Sequence, residues 1–361
     1  MLPITDADAA GPHDPHTPAP ARPRASLRRT TTIDTHRPEG ILGPPVIEAR
    51  ARDLWTAADG TPTVVASAHV AAELDGFQHH LARIASDPEG PALQSLLGAV
   101  VGPGFRSKVD RVVPELRDTG ALLYLLLDDM PGATLVAGYA MLHAGVIGDS
   151  APHDEYLDAR GDLCAGWAVD ATMMQLIKST GRNPVNRGPV APPITDGDDD
   201  LAFHPTEPLD PHGMRRLRRL DVTAPPTPDA PVPVSVFFRD THVDGDGSET
   251  IVHEYSVDLV VDGTAKAIME IEARADVLPW RECPAALGSA ARLAGQPLAD
   301  LRPWVRETFV GTSTCTHLND VLRGLADLDH LVDLLIGKRW EGETLMSYRT
   351  TVTGGSATVP S

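Results

Sequence analysis

The feature that most constrains the fold is an order of elements that occurs twice along this chain of 361 residues. In each half, a predicted strand with two adjacent arginines precedes a predicted hairpin, and helices and an unusual apolar turn follow. The corresponding segments are Arg28-Arg29 and Arg215-Arg216, Asp59-Gly60 and Asp262-Gly263, and Leu127–Pro131 and Cys315–Asn319. A repeated order of this kind indicates an internal duplication. Identity between the halves is low, so the alternative is that any two α+β segments share these features.

Period-two alternation of apolar residues predicts strands in both halves. Residues 46–54 and 63–70 alternate around an Asp-Gly turn, and residues 233–239 and 251–261 do so around residues 244–247. Further predicted strands are 28–34, 214–222 and 265–273, and predicted helices are 91–101, 105–117, 283–293 and 298–307. We therefore expect an α+β protein with two related antiparallel sheets, each backed by helices and packed as a pseudo-dimer. A site at the interface of the two units would follow.

Composition divides the chain into five parts. Residues 1–25 are rich in Ala, Pro, His and Asp without periodicity, so we expect them to be disordered. Residues 183–212 are rich in Pro, Asp and Gly, which is typical of a linker or surface excursion. The predicted organisation is a disordered N-terminus (1–25), a first α+β unit (26–148), a connecting helix and linker (149–212), a second α+β unit (213–337) and a loose tail (338–361).

Charge and cysteine content exclude several classes of partner. The chain has 50 Asp and Glu against 31 Lys and Arg, a net charge of −19, which argues against nucleic acid and against an anionic membrane surface. No apolar run reaches the roughly 18 residues of a membrane helix. Three cysteines, an odd number, suit a reducing compartment. We expect a cytoplasmic protein that acts on a small molecule, and a homo-oligomer is compatible with the sequence.

The stretch Phe309–Asp320 brings a thiol, an imidazole and a carboxylate within six residues. Ser313 or Thr314 is a suitable N-cap, so Cys315 is expected in or beside the first turn of a helix. Unpaired N–H groups and the helix dipole favour a thiolate there. Cys315 is therefore predicted to be a reactive thiol or a metal ligand, and its alternative is a small buried apolar residue.

Further metal-ligand residue types occur in the second half. With Cys315 they make a predicted ligand set for zinc or iron, consisting of Cys283, Cys315, His317, His242 and Asp244. The order of the ligand-bearing parts resembles that of the iron–sulfur scaffold proteins of the NifU type, except that the hairpin offers His and Asp in place of Cys. In a regular helix Cys315 and His317 would point roughly 200° apart. They can share one ion only if Cys315 lies in the helix cap. The alternative for His242 and Asp244 is an ordinary polar hairpin tip.

Two adjacent carboxylates, Asp128 and Asp129, follow six mostly aliphatic residues. One interpretation is a helix end, with both at the surface and Pro131-Gly132 closing the turn. The other is a catalytic acid or base with a raised pKa in an apolar pocket. The adjacent arginines of the predicted strands could pair with them, bind an anionic substrate, or lie at solvated strand edges.

Several stretches together resemble one bacterial family. They are Arg28–Thr31, Tyr124–Asp129, Phe238–Asp244, Leu278–Pro284 and Phe309–Asp320. On these residues the chain is similar to the long, actinobacterial form of the domain of unknown function 2889, over roughly residues 26 to 335. The resemblance implies an intact domain in the bacterial cytoplasm and carries no established activity.

These observations lead to two functional hypotheses. The first is a metal- or thiol-dependent enzyme, a lyase or hydrolase acting on a small and fairly apolar molecule, with Cys315, His317, Asp128 and Asp129 as catalytic residues. No nucleotide cofactor is expected, since the sequence has no P-loop and no dinucleotide fingerprint. The second hypothesis is a non-catalytic metal or iron–sulfur carrier. A third interpretation makes both Cys/His motifs structural.

Overall fold

The strands of both halves form one antiparallel sheet. A computed structural model describes residues 9–75, 78–147, 160–227 and 229–337. The eight strands are β1 (Ser26–His36), β2 (Val46–Thr56), β3 (Pro62–Asp75), β4 (His80–Asp87), β5 (Met214–Thr223), β6 (Val232–Val243), β7 (Glu249–Asp262) and β8 (Ala267–Val277). Their order across the sheet is β4-β3-β2-β1-β5-β6-β7-β8. The predicted α+β class is confirmed, whereas the strands form a single sheet and not two packed sheets.

The two four-strand meanders meet where β1 pairs with β5. Arg28 lies opposite Asp221 in this pairing, and Asp34 lies opposite Arg215. Both pairs form two-pronged ion pairs with N–O distances of 2.6–2.8 Å. All eleven residues of β1 except the last are buried. The adjacent arginines therefore lie at the centre of the sheet, and a solvated edge position is wrong for them.

Helices cover one face of the sheet. They are α1 (Phe105–Val112), α2 (Pro114–Asp118), α3 (Leu122–Ala137), α4 (Tyr139–His143), α5 (Thr172–Thr180), α6 (Leu301–Thr308), α7 (Thr316–Gly324) and α8 (Leu328–Ile336). Helix α3 packs against β1, β2, β3, β5 and α7, while α8 packs against β1 and β5. Short 3₁₀ helices at residues 91–96, 165–167, 283–293, 298–300 and 325–327 connect these elements. The segment 283–293, predicted as a helix, is thus of the 3₁₀ type.

Helix α3 continues through its proline. Asp128 and Asp129 lie in its middle and are both 5% exposed, so the helix does not end at Pro131 and its carboxylates are not at the surface. A proline inside a helix removes a backbone hydrogen bond. Here the following residues Ala133 and Val136 are buried in the core, and tertiary packing outweighs the local preference.

Irregular segments cover the other face. Residues 9–25, for which we expected disorder, run along the sheet, and Ala9 and Ala19 are fully buried. The carbonyl groups of a proline-rich segment do not pair within a helix or a sheet, so they need other hydrogen-bond donors. Here the donors are guanidinium groups of buried arginines. Arg28 donates to Pro20 and Ala202, Arg219 to Pro18, Arg239 to Pro192, and Arg215 to Glu207. The predicted linker around residues 190–207 therefore contributes to this cover.

Some predictions fall outside what the structure describes. The tail 338–361 and residues 1–8 are among these, so the loose tail remains a prediction. Strand β4 was not predicted, because its sequence His80–Asp87 has no clean apolar alternation and only Leu81 and Ile84 are buried. Among the described helices, none is long and apolar enough to cross a membrane.

Candidate functional site

A network of buried ion pairs lies between the helices and the central strands. Asp129 of α3 accepts hydrogen bonds from Arg216 and Arg218 of β5 at 3.2 and 2.5 Å. Asp320 of α7 accepts one from Arg216 at 2.9 Å. Arg29 of β1 bonds to Asp53 and Asp327 in a similar way. Burying a charge is tolerable only when it is paired, and this network meets that condition.

Asp128, predicted to be catalytic, lies among three arginines. Its Oδ1 accepts a 2.8 Å hydrogen bond from Arg323, and Arg106 and Arg302 lie within 3.7 Å of its carboxylate. Burial favours the neutral acid, but the charges of these three arginines lower the pKa of Asp128. This direction is opposite to the raised pKa expected of a general acid. The geometry gives Asp128 and Asp129 ion-pairing partners within the fold.

Cys315 is the N-cap of α7 and not a member of the helix. Its backbone is extended, with φ −132° and ψ 131°, so its side chain is not held at the helical 100° step from its neighbours. The Sγ atom lies 3.9 Å from Nδ1 of His317 and accepts a 3.1 Å hydrogen bond from the Tyr255 hydroxyl. Cys315 and His317 therefore meet the condition for sharing one ion.

A second histidine stacks on His317. The rings of His253 and His317 are 3.6 Å apart with planes 24° from parallel, and Nδ1 of His253 lies 3.2 Å from Oδ2 of Asp240. Burial and the neighbouring His253 lower the pKa of His317 well below its usual value, so the ring is neutral. Among described residues, Asp240, His253 and His317 offer ligand atoms that all lie within 4.8 Å of one another.

Asp240 fixes the position of His253 in this group. It is fully buried and also bonds to Arg216 with both oxygens, at 2.8 and 3.1 Å. Burial opposes ionisation of Asp240, yet the charge of Arg216 and the hydrogen bond from His253 lower its pKa. An ionised Asp240 therefore orients the His253 ring by accepting from Nδ1–H.

The other two cysteines, Cys283 and Cys164, lie near Cys315. Cys283 begins the 3₁₀ helix at residues 283–293, is buried, and faces the backbone of Gly166. Burial raises the pKa of both Cys283 and Cys164, and the Cys315 thiol adds to each shift. Cys283, predicted as a ligand, is thus a protonated thiol in the core around Tyr255.

His242 and Asp244 are brought together, but with a residue of the first half. They lie at the β6–β7 hairpin, where His242 is fully buried on β6 and is not an exposed hairpin tip. Their third neighbour is His143 of α4. In the described part of the chain, no group of ligand atoms within 4.8 Å contains both this pair and His317. The five predicted ligands are therefore divided between separate places.

A cleft of about 350 Å³ opens beside the first turns of α7. Its wall includes Thr316, Asn319 and Asp320 of α7, whereas Cys315 and His317 of the same segment are not among its lining residues. Apolar atoms come from Leu163, Val305, Phe309 and Val310, and guanidinium groups from Arg106, Arg306 and Arg323. This volume accommodates a small molecule with an apolar body and a polar end.

Sequence reasoning did not find Tyr255 or His143. Tyr255 follows His253 by two residues on β7, so both side chains point to the same face of the sheet, and this spacing is the signal that could have found it. His253 and Glu254 do face opposite ways, as expected for a strand, because Glu254 bonds to Arg239 on the other face. For His143 the sequence carries no signal, since it meets His242 only through the fold.

Comparison with known proteins bears on the second half. Residues 214–330, from β5 into α8, match the family model described as "Protein of unknown function (DUF2889)". The chain matches none of the curated proteins and none of the solved structures. The stretches Arg28–Thr31 and Tyr124–Asp129 lie outside the matched residues, whereas the Cys315 stretch lies within them. Through its second four-strand unit and the helix that carries Cys315 and His317, the chain resembles the DUF2889 family.

Proposed function

We propose that the chain is a metal-dependent enzyme, a hydrolase or lyase, whose ion is bound by Cys315 and His317. The observation that carries the proposal is the 3.9 Å separation of Cys315 Sγ and His317 Nδ1 at the helix cap. Two ligands of a tetrahedral zinc ion, with bonds of about 2.3 Å to sulfur and 2.0–2.1 Å to nitrogen, stand about 3.6 Å apart. His253, held by Asp240, stacks on His317 and would orient this ligand, as outer partners of zinc ligands commonly do.

Electrostatics favour the metal over a free nucleophilic thiol. Burial raises the pKa of Cys315 even though the Tyr255 hydroxyl donates to its sulfur, so the thiol is protonated at neutral pH in the absence of an ion. A bound cation reverses this balance, because a coordinating thiol loses its proton. The neutral ring of His317 needs no deprotonation to bind.

Coordination by Cys315 and His317 alone leaves positions for water or substrate, and catalytic zinc sites keep such a position open. An ion at this place would activate water or polarise a carbonyl group. The adjacent cleft supplies the binding site. We propose a small substrate with an apolar part against Val305 and Phe309 and a polar or anionic part toward Arg106 and Arg323.

We infer an internal duplication, and this inference supports the location of the centre. One constant step in sequence relates the buried ion pairs of the two halves, namely Arg28 to Arg215, Asp34 to Asp221, Arg29 to Arg216 and Asp53 to Asp240. The strand irregularities after Asp53 and Asp240 follow the same step. At this step the counterparts of His253 and Tyr255 are Ala66 and Ala68. We infer that these ion pairs stabilise the fold in both halves and that only the second half acquired the metal centre.

The alternative function is a metal or iron–sulfur carrier. A carrier must present its ligands for transfer, whereas Cys315 is 5% exposed and its sulfur is covered by Tyr255. The burial favours an enzyme. The correspondence with scaffold proteins is also weakened, because among the described residues no group of three or more ligand atoms within 4.8 Å contains a cysteine. The inferred duplication also changes one correspondence expected from the sequence. The turn Asp59-Gly60 between β2 and β3 corresponds to the turn between β6 and β7, and not to Asp262-Gly263.

Metal analysis of the purified protein tests the proposal. We expect zinc or iron in the wild type, and a loss of one equivalent in Cys315→Ala and in His317→Ala. Cys164→Ala is the matched control, since it removes a neighbouring thiol outside the ligand group and should retain the ion. Equal metal content in all three variants, each with unchanged thermal stability, would contradict the proposed centre.

A further inference from the structure

We propose a second divalent-metal site, formed by His143, His242 and Asp244, that joins the two halves of the chain. His143 belongs to α4 in the first half, and the other two residues lie at the β6–β7 hairpin in the second. One ligand atom from each lies within 4.8 Å of the others. This site is separate from the Cys315 centre and does not depend on the proposed function.

The observation that points to a ligand is the state of His242. Its side chain is fully buried, and neither Nδ1 nor Nε2 has a hydrogen-bond partner in the described part of the chain. A polar group buried without a partner is strongly disfavoured. Nδ1 lies 3.7 Å from Oδ1 of Asp244, beyond hydrogen-bond distance and close to the separation of two ligands on one ion.

The two neighbours complete a two-histidine, one-carboxylate set. Nδ1 of His143 lies 3.1 Å from Oδ1 of Asp244, and its Nε2 lies 3.2 Å from the backbone oxygen of Asn186. The rings of His143 and His242 are 4.4 Å apart and inclined at 46°, so they converge and do not stack. Arg187 lies 3.4 Å from Oδ2 of Asp244, which leaves Oδ1 on the histidine side.

A further histidine stands beside the set. His212 has a buried Nδ1 that lacks a partner among the residues described, and its ring contributes to lowering the pKa of His242. His212 also has φ +68°, a conformation that costs a non-glycine residue energy and is common at functional sites. Its ring nitrogens are not part of the group of ligand atoms that lie within 4.8 Å of one another.

The proposed ion would be a borderline transition metal such as zinc, because imidazole and carboxylate without thiolate suit zinc, iron or manganese. Its role would be structural. It would attach α4 to the end of β6, beside a small apolar cluster in which Val136, Ala137 and Ala140 of the first half pack with Met214 and Val252 of the second.

Titration of the wild-type apoprotein with Co²⁺ tests the proposal. A thiolate-bound cobalt gives a sulfur-to-metal charge-transfer band, whereas a cobalt held by histidine and carboxylate gives only weaker visible absorption. We expect the visible absorption to saturate at two equivalents and the charge-transfer band at one. Saturation of both the visible absorption and the charge-transfer band at one equivalent would overturn the second site, whereas one equivalent without a charge-transfer band would overturn only the Cys315 centre.

A variant separates this site from the Cys315 centre. Cys315→Ala/His317→Ala should still bind one Co²⁺ without a charge-transfer band, and its thermal unfolding temperature should rise with Co²⁺. Adding Asp244→Asn, a conservative change of a residue that is not fully buried, should abolish that binding and that rise. The matched control is Glu249→Gln, on the other side of the same hairpin turn. This variant should retain both the Co²⁺ binding and the rise in unfolding temperature. Binding unchanged by Asp244→Asn would also overturn the proposal.

Discussion

Single residues at the proposed centre differ in what they contribute. Cys315 and His317 supply ligand atoms, whereas Asp240 and Tyr255 act through them. The Tyr255 hydroxyl donates a hydrogen bond to the sulfur, which also contacts Nδ1 of His317 and the backbone N–H groups of His317 and Leu318. A hydrogen bond to a charged acceptor is stronger than one to a neutral acceptor, so Tyr255 should stabilise the metal-bound thiolate more than the free thiol.

Tyr255→Phe therefore weakens metal binding in our account. The lost hydrogen bond to a thiolate is worth about 1.5–3 kcal/mol, which corresponds to at least about a tenfold rise in the metal dissociation constant. Competition with a chromophoric chelator measures it. Tyr124→Phe removes another buried hydroxyl, bonded to Asp110, and should leave metal affinity unchanged. Equal affinities of the two variants would show that Tyr255 does not act on the sulfur.

His204 gives a prediction about pH. It is buried between Thr30 and Thr32, and burial lowers its pKa to about 3. Above pH 6.5 the ring is neutral in both folded and unfolded chains. As pH falls below about 6.5, only the unfolded chain takes up the proton, so the free energy of unfolding decreases by about 1.4 kcal/mol per pH unit from this group.

His204→Gln should reduce that slope, because glutamine can bond to both threonines without titrating. The measurement is urea unfolding at several pH values between 6.5 and 4.5. A variant with the same pH dependence as the wild type would contradict the assignment. His13, exposed in the N-terminal segment, provides the control substitution His13→Gln with no expected effect.

The candidate site could be predicted from sequence only in part. Cys315 and His317 were found because they are adjacent in the chain and lie before a clear helical pattern. Their neighbours His253 and Tyr255 belong to strand β7, about sixty positions earlier in the chain. Only the tertiary fold brings this strand close to Cys315 and His317. Neighbours that meet through tertiary packing have no local signal, and His143 is the extreme case.

At the scale of elements, helix α3 depends on a glycine. A Cβ atom at Gly132 would lie 2.2 Å from both Arg216 Nη1 and Asp320 Oδ2, so the buried ion pair passes directly across this residue. The side chains there are held by further bonds to Asp240 and Arg106. They have little freedom to move aside.

Gly132→Ala should therefore destabilise the protein by about 3 kcal/mol or more, the range for breaking a buried ion pair. This is opposite to the gain of up to about 1 kcal/mol that alanine normally gives in a helix. Gly138→Ala is the matched control. Gly138 has helical angles, φ −63° and ψ −20°, and its nearest contact for a Cβ is 3.4 Å. Chemical denaturation compares the two, and similar stabilities would contradict the packing described for α3.

Strands β2, β3 and the second half of β7 were predictable because buried and more exposed positions alternate along them. The predicted strand at residues 46–54 is found as β2 from Val46 to Thr56, and the predicted turn at Asp59-Gly60 joins it to β3. Two elements did not follow local rules. Helix α3 does not end at Pro131. Residues 9–25 are ordered because arginine side chains of the sheet donate hydrogen bonds to their carbonyl groups, and composition does not reveal these contacts.

At the scale of the whole molecule, the sheet combines two similar units around one seam. The sequence order indicated two units, but it could not predict whether they would pack face to face or pair edge to edge. The answer lies in the charges of β1 and β5, which match across the seam as Arg28 with Asp221 and Arg215 with Asp34. Such matching can be recognised only once the register is known.

Substitutions at two corresponding positions distinguish an effect on the stability of the fold from an effect on metal binding. Asp53→Asn and Asp240→Asn each remove the acidic partner of a buried arginine, Arg29 or Arg216. Both should lower the free energy of unfolding of the metal-free protein by similar amounts, about 3–5 kcal/mol. Only Asp240→Asn should also lower metal affinity, by about 10–100-fold, because Asp240 orients His253. Equal metal affinities in the two variants would contradict the assigned role of Asp240.

The most direct test of the metal centre is X-ray absorption spectroscopy of the zinc-loaded Asp244→Asn variant, which lacks the second proposed site. Our account predicts one zinc ion per chain with a single sulfur neighbour at about 2.3 Å and nitrogen or oxygen neighbours at about 2.0–2.1 Å. The sulfur signal should be absent in the same variant carrying Cys315→Ala. A zinc ion with no sulfur neighbour, or a chain that binds no zinc, would contradict a centre built on Cys315 and His317.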